Sequence, residues 1–183
     1  MIITINGMPG SGKSTVGREL AKRLGYKFYS AGDVRGRYAV SRGISMAELN
    51  RLAEKDPASD KLVDEYLAEI AKKEDDFIVD ARLGFHFIPQ SIKVFLDANP
   101  EVRAQRVFGD SRPDEKFKSL GDAKRAITNR VKSDLKRYAN LYSINPYEHQ
   151  HYDLIIDTTD KKVEEIVGQV YRFSMFRSNP AKR

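Results

Sequence analysis

The sequence predicts an α/β fold: a five-stranded parallel sheet covered by helices on both faces, with a helical segment and a short lid attached. Three observations carry this expectation. Short apolar runs alternate with segments of helical spacing, and four of the runs are apolar enough for strands buried on both sides. A chain of 183 residues suits one compact domain better than two. The polar motifs fall at the ends of the strand-like runs or on neighbouring helices, where open α/β sheets bind their ligands.

The elements follow in order. "IITI" at 2–5 reads as a buried strand that runs into a glycine-rich loop. Val16, Leu20 and Leu24 then recur at helical spacing, and Gly25 suits the helix end. "YKFYS" at 26–30 is a second strand, and Ser30 with Asp33 forms a capping pair that starts a helix. Ser45 and Glu48 repeat that pattern before Leu49 and Leu52. Asp56-Pro57 opens another helix, whose expected inward stripe is Leu62, Tyr66 and Ile70. "FIVDA" at 77–81 and "IKVFLDA" at 92–98 are strands three and four, and Asn99-Pro100 begins a helix. Residues 109–121, "GDSRPDEKFKSLG", combine two glycines, a proline and weak periodicity, and read as a mobile loop or lid. A long helix covers about 121–142, with Ile127, Val131, Leu135, Tyr138 and Tyr142 expected inward. "YDLIID" at 152–157 is the fifth strand, and Val163, Ile166, Val167 and Val170 mark a last helix.

Composition narrows the function classes. No apolar run is long enough to cross a membrane, no signal-peptide pattern appears, and there is no cysteine for a disulfide or thiolate metal site. A cytoplasmic, monomeric protein without membrane attachment is the expectation. The net charge of +6 suits either a nucleic-acid surface or a pocket for two phosphate-bearing ligands. The pocket is favoured, because arginines recur beside phosphate-type motifs; no nucleic-acid partner is expected, and only the tail "YRFSMFRSNPAKR" mixes basic and aromatic residues.

"NGMPGSGKST" contains a complete G-x-x-x-x-G-K-S pattern. Gly7, Gly10 and Gly12 allow a tight path between strand and helix, so that backbone N–H groups converge on phosphate oxygens. The candidate ATP-binding set is Gly7, Met8, Pro9, Gly10, Ser11, Gly12, Lys13, Ser14 and Thr15. Lys13 reaches the outer phosphates and Ser14 holds Mg²⁺. No N-K-x-D guanine signature is evident, which favours ATP over GTP. Asp80, at a strand end, either holds Mg²⁺ through water or orients the acceptor; Asp97 is a weaker rival. Thr158, after strand five, is placed near the donor base.

A kinase for a phosphorylated acceptor needs further cations, to hold a second phosphate and to neutralise the group in flight. "SAGDVRGRY" supplies Ser30, Asp33, Arg35 and Arg37, and Arg82 lies just beyond Asp80. Arg130, Asp134 and Arg137 share one face of the long helix, beside its apolar stripe, so that Asp134 can orient both guanidinium groups. The plain alternative is an exposed helix face laced by ion pairs. Arg106 and Arg112 are lid candidates. Phe85 and Phe87 are candidates to touch a base or simply to pack, and the three histidines lack metal-ligand spacing.

Taken together, "SAGDV", "GISMAELNRLAEKDPASD", "DARLG", the arginine–aspartate–arginine helix and "YSINPYEHQHYDLIIDTT" make the chain resemble the short, archaeal-type cytidylate kinases among the P-loop nucleoside monophosphate kinases. The likeness runs from the glycine loop to about Val170. It implies ATP-dependent phosphoryl transfer to CMP or dCMP, with Mg²⁺, giving ADP and CDP or dCDP. It also implies a core (about 1–30, 77–108 and 122–172), a monophosphate-binding segment (about 31–76) and a lid (about 109–121). By position, Lys13, Asp80, Arg82, Arg130 and Arg137 become the catalytic set, and Ser30, Asp33, Arg35, Arg37, Arg82 and Asp134 the acceptor set. Two departures stand out. The family's arginine six residues beyond the serine falls on Gly36, flanked by Arg35 and Arg37, and "DARLG" has aspartate where glutamate is more usual. A kinase for another nucleotide or small phosphorylated metabolite, or a non-kinase ATPase, is the alternative.

Overall fold

A computed structural model describes residues 1–110 and 117–178 of the chain. It contains β1 (Ile2–Gly7), α1 (Lys13–Leu24), β2 (Lys27–Ser30), α2 (Ala31–Ser41), α3 (Met46–Ala53), α4 (Ala58–Lys73), β3 (Phe77–Asp80), α5 (Gly84–Phe87), β4 (Ile92–Asp97), α6 (Pro100–Gly109), α7 (Leu120–Tyr142), β5 (Leu154–Asp157) and α8 (Val163–Ser178). The five strands form one sheet in the order β2-β3-β1-β4-β5, every pair parallel. The expected α/β architecture is therefore present.

β1 is buried along its whole length because it is the central strand. Alternation divides its side chains between two cores. Ile3 and Ile5 join Val16 and Leu20 of α1 and Ile166 and Val170 of α8 on one face. Ile2 joins Phe77, Val79, Leu67 of α4 and Ile88 on the other. Local signals set the helix starts. Ser30 Oγ accepts from Asp33 N at 3.1 Å, Ser45 Oγ accepts from Glu48 N at 3.1 Å, and Asn99 Oδ1 accepts from Glu101 N ahead of α6. Gly25 ends α1 with φ 69°, which glycine adopts without steric cost.

Strand register brings the polar residues together. Ile5 of β1 pairs with Asp80, Asp80 pairs with Ser30, and Gly7 pairs with Leu96. The glycine loop, the start of α2 and the segment after β3 thus leave the sheet at the same edge.

Two helix faces differ from the sequence expectation. In α4, Leu62 is 41% exposed, and the buried stripe is Ser59, Asp60, Val63, Asp64 and Leu67. In α7, Ala123, Ile127, Ser133, Asp134, Arg137 and Tyr138 are buried, whereas Val131 and Leu135 are only half-buried. Both helices are rotated so that aspartates and an arginine point inward. Hydrophobic spacing alone cannot anticipate this, because these charges neutralise one another across the helix pair. The short α5 and a 3-10 turn at His149–His151 were not expected either. Arg112 and much of the anticipated lid lie outside the described residues.

Candidate active site

A cleft of about 960 Å³ opens at this sheet edge, between the glycine loop, α2, α4 and α7. Its donor side is built from backbone. Gly12 precedes α1 with φ 89° and offers no side-chain cap, so the first N–H groups of the helix face the loop's interior. The glycines are sterically required: a Cβ on Gly7 would lie 2.0 Å from Leu96 O, and one on Gly10 2.6 Å from Arg103 O. Met8 N donates to Leu96 O at 3.1 Å, and Ser11 N donates to Met8 O at 3.1 Å, which fixes the loop's path.

Lys13 Nζ donates to Met8 O at 2.9 Å inside the loop. Burial, reinforced by the Arg82 guanidinium, pushes this ammonium well below its ordinary pKa. Ser14 Oγ donates to Asp80 Oδ2 at 2.6 Å. A hydroxyl and a carboxylate side by side are hard oxygen donors of the kind Mg²⁺ takes when it keeps waters and binds phosphates as well. Among the described residues, no group of three or more histidines, cysteines or acids could hold a metal by itself.

Arg82 joins the donor side to α7. Its Nη1 donates to Gly7 O at 2.9 Å and lies 3.3 Å from Asn6 Oδ1, while its Nε donates to Asp134 Oδ2 at 2.8 Å. The Tyr147 ring lies 5.6 Å from the guanidinium carbon, and Tyr147 Oη donates to Asp134 Oδ2 at 2.7 Å. Burial disfavours the Arg82 charge, but Tyr147 and Asp134 outweigh it and raise its pKa. Burial would likewise raise Asp134, but Arg82, Arg137 and Arg130 dominate and hold it at about 2.

Asn6 and Tyr147 are positioning residues that sequence reasoning missed. Asn6 is buried, and its Nδ2 lies within hydrogen-bond distance of Arg82 O, Pro146 O and Tyr152 Oη. The only signal was an asparagine at the end of an apolar strand, just before the glycine loop.

Arg137 departs from its expected place. Its side chain is completely buried; Nη1 donates to both oxygens of Asp60, and Nη2 donates to Asp134 Oδ1 at 2.5 Å. It is not among the residues lining the cleft. Its fork is used by two carboxylates, so its position is that of a buried counter-ion. Arg130, by contrast, lines the cleft together with Asp134.

Ser30, Asp33, Arg35 and Arg37 all line the cleft. Ser30 Oγ is already used as the α2 cap, and Asp33 faces Arg18 across 3.5 Å at the rim. Arg35 is buried: it donates to Asn50 Oδ1 at 3.0 Å and Ser59 Oγ at 3.3 Å, and lies 3.9 Å from Asp60. Burial lowers its pKa, opposed by Asp60. Arg37 is exposed on the cleft wall. A Cβ on Gly36 would meet nothing within 4 Å, so the side chain missing there leaves open space.

Thr158 and Arg106 also take places other than those expected. Thr158 is fully buried, with its hydroxyl 3.1 Å from Ser11 O and 2.9 Å from Asp97 O. Arg106 belongs to α6 and donates to Thr158 Oγ1 and O at 2.9 and 2.7 Å. Together they brace the glycine loop from beneath, because Thr158 leaves β5 directly beside the loop's carbonyls. Phe85 packs on His151 and Tyr152, and neither Phe85 nor Phe87 lines the cleft.

Comparison with solved structures supports the fold. A shikimate kinase from Bacteroides thetaiotaomicron superposes with TM-score 0.66 at 17% identity, over 96% of this chain and 98% of that one. One from Aquifex aeolicus gives 0.58 at 20% identity, over 97% and 98%. At sequence level, the cytidylate kinase of Methanococcoides burtonii is 35% identical over 159 residues, covering 87% of this chain and 88% of that protein. That of Halobacterium salinarum is 38% identical over 160 residues, covering 86% and 81%. That of Methanosphaera stadtmanae is 36% identical over 168 residues, covering 92% and 94%. The matching family model spans residues 2–160, which include the glycine loop, Asp80, Arg82 and the charged face of α7, and the chain therefore belongs to the cytidylate kinase-like family.

Proposed function

We propose that this protein transfers the γ-phosphoryl group of ATP to CMP or dCMP, giving ADP and CDP or dCDP. The observation that carries the reading is Arg82, which touches the glycine loop through Gly7 O and the α7 network through Asp134. This bridging supports a role for Arg82 between the donor and acceptor phosphates.

The phosphate of the monophosphate attacks the γ-phosphorus in line and ADP leaves. The glycine loop and the α1 N-terminus cradle the donor phosphates. Lys13 turns from Met8 O to phosphate oxygen. Arg82 and Arg130 neutralise charge on the group in flight, with Asp134 and Tyr147 holding Arg82 in orientation. Arg37 and Arg35 face the acceptor, and Asp33 stands beside them. Ser14 and Asp80 would hold Mg²⁺, which would supply neutralising charge to the donor phosphates. Arg137 acts one layer back, by fixing Asp134 and Asp60.

A coupled ADP-production assay tests the proposal, using ATP with CMP, dCMP, UMP, AMP, GMP or no acceptor. ADP release well above the no-acceptor rate with CMP and dCMP is expected. Equal release with and without every monophosphate would overturn the kinase reading, and a preference for AMP or GMP would overturn the acceptor.

A further inference from the structure

The cleft is cationic along one stretch and acidic at one end. Lys13, Arg82 and Arg130 line it beside the glycine loop and α7, whereas its α4 wall carries Asp60 and Asp64 among the apolar residues Val63 and Leu67, with Arg35 3.9 Å from Asp60. The two aspartates differ. Asp60 has both oxygens against Arg137 Nη1. Asp64 is 7% exposed, and its Oδ2 accepts from Tyr142 Oη. Among the described residues this is the one hydrogen bond recorded for Asp64, and it makes no ion pair.

A buried carboxylate with an acceptor oxygen to spare, facing a ligand cleft, calls for a donor from the ligand. A nucleoside monophosphate directs its phosphate to the cations, which leaves its base for the apolar and acidic wall. An ionised carboxylate only accepts hydrogen bonds, so it welcomes an exocyclic amine and repels a keto oxygen at the same place. We infer that Asp64 determines the acceptor base, accepting a hydrogen bond from the amino group of cytosine and excluding the keto group of uracil. The inference rests on the proposed monophosphate kinase activity.

Protonation of Asp64 would reverse this discrimination, because a carboxylic acid can donate to a keto oxygen. Burial pushes its pKa up to about 6, moderated by the Tyr142 hydrogen bond. The charged and titratable groups that bear on it are Asp60 from α4, Tyr142 and Arg137 from α7, and Arg35 from α2. The preference for CMP over UMP is therefore strong above pH 6 and weakens below it.

The test measures kcat/KM for CMP and for UMP from pH 5 to pH 8 in wild type, Asp64→Asn and Tyr142→Phe. The wild-type CMP/UMP ratio should rise at least about tenfold across this range. Asp64→Asn, whose amide can donate, should lower the ratio at pH 8 by at least about tenfold and remove its pH dependence. Tyr142→Phe keeps the carboxylate and loses the hydrogen bond, so the ratio at pH 8 should hold while the midpoint moves up. A wild-type ratio in Asp64→Asn, or a pH-independent ratio in wild type, would overturn the inference and leave the kinase reading intact. If Asp64→Asn fails to fold, the wild-type profile and Tyr142→Phe decide. Wild-type protein that phosphorylates neither nucleotide would overturn the kinase reading, and this inference with it.

Discussion

The two ends of the cleft are made in different ways. The donor end is a run of consecutive residues whose ligands are backbone N–H groups, shaped by glycines at positive φ. The end proposed for the acceptor is a set of charged side chains from α2, α4 and α7, Arg35, Asp60, Asp64 and Asp134, with Arg137 buried behind them and Arg82 joining the two ends. Backbone sites are sensitive to shape. Buried charge networks are sensitive to balance, because each ion depends on its partner for the solvation it has lost. Mutations at the acceptor end should therefore act first on stability, and those at the donor end first on binding and rate.

The sharpest contrast pairs Asp134→Ala with Ser14→Ala. The first leaves Arg82 and Arg137 short of a buried carboxylate and should destabilise the fold by about 3–5 kcal/mol. The second removes one partly buried hydrogen bond to Asp80 and should cost about 1 kcal/mol of stability while lowering turnover at least about tenfold. Urea denaturation and steady-state kinetics on both would break the comparison if Ser14→Ala proved the less stable protein.

Within the donor end, shape can be separated from conformational strain. Gly10→Ala must accommodate a Cβ 2.6 Å from the Arg103 carbonyl, whereas Gly12→Ala meets nothing within 4 Å and carries only positive-φ strain. We expect about 1–3 kcal/mol for Gly10→Ala with weakened ATP binding, against about 1 kcal/mol for Gly12→Ala. Equal losses would show that packing of the loop against α6 is unimportant.

A smaller effect separates the two aspartates by pH. Asp134, held at about 2, lies below its unfolded value, so its contribution is present above about pH 4 and lost as pH falls through 2. Asp64, raised to about 6, lies above its unfolded value; its contribution is present below about pH 4 and lost as pH rises through 6. Asp64→Asn should flatten the melting-temperature profile between pH 4 and 7 and leave the acid limb unchanged. An unaltered slope there would contradict the assignment. Smallest of all, Arg18→Ala breaks an exposed 3.5 Å pair with Asp33 and should cost under about 1 kcal/mol.

The same division explains what the sequence could tell. The strand order of polarity, the caps at Ser30, Ser45 and Asn99, and the glycine loop were legible because each is local: a residue type at a fixed offset from its neighbours. Ser14 and Asp80 were legible as a pair through motif and strand end. The inward faces of α4 and α7 were not. Hydrophobic spacing placed Ile127 and Tyr138 inside, where they are, but also Leu62, Val131 and Leu135, and it missed the buried Asp60, Asp64, Asp134 and Arg137. The burial of Asp60, Asp134 and Arg137 is stable only because two helices, distant in sequence, bring opposite charges together, and one helix read by itself gives no sign of that. Arg137 was expected at the transferring phosphate and Thr158 near the donor base, yet the first is a counter-ion to two buried carboxylates and the second braces the glycine loop. A polar residue in an apolar frame was visible; which way it faces was not.

In the proposed reaction Arg82 joins the two ends at the transferring phosphate. The direct measurement is kcat for ATP-dependent CMP phosphorylation by Arg82→Lys, with the melting temperature recorded alongside. Lysine keeps a cation near Asp134 but lacks the planar fork that reaches Gly7 O and Asp134 together. The expected result is a fall in kcat of about 100-fold or more in a protein that still melts cooperatively near the wild-type temperature. A folded Arg82→Lys enzyme with kcat within about threefold of wild type would contradict the account.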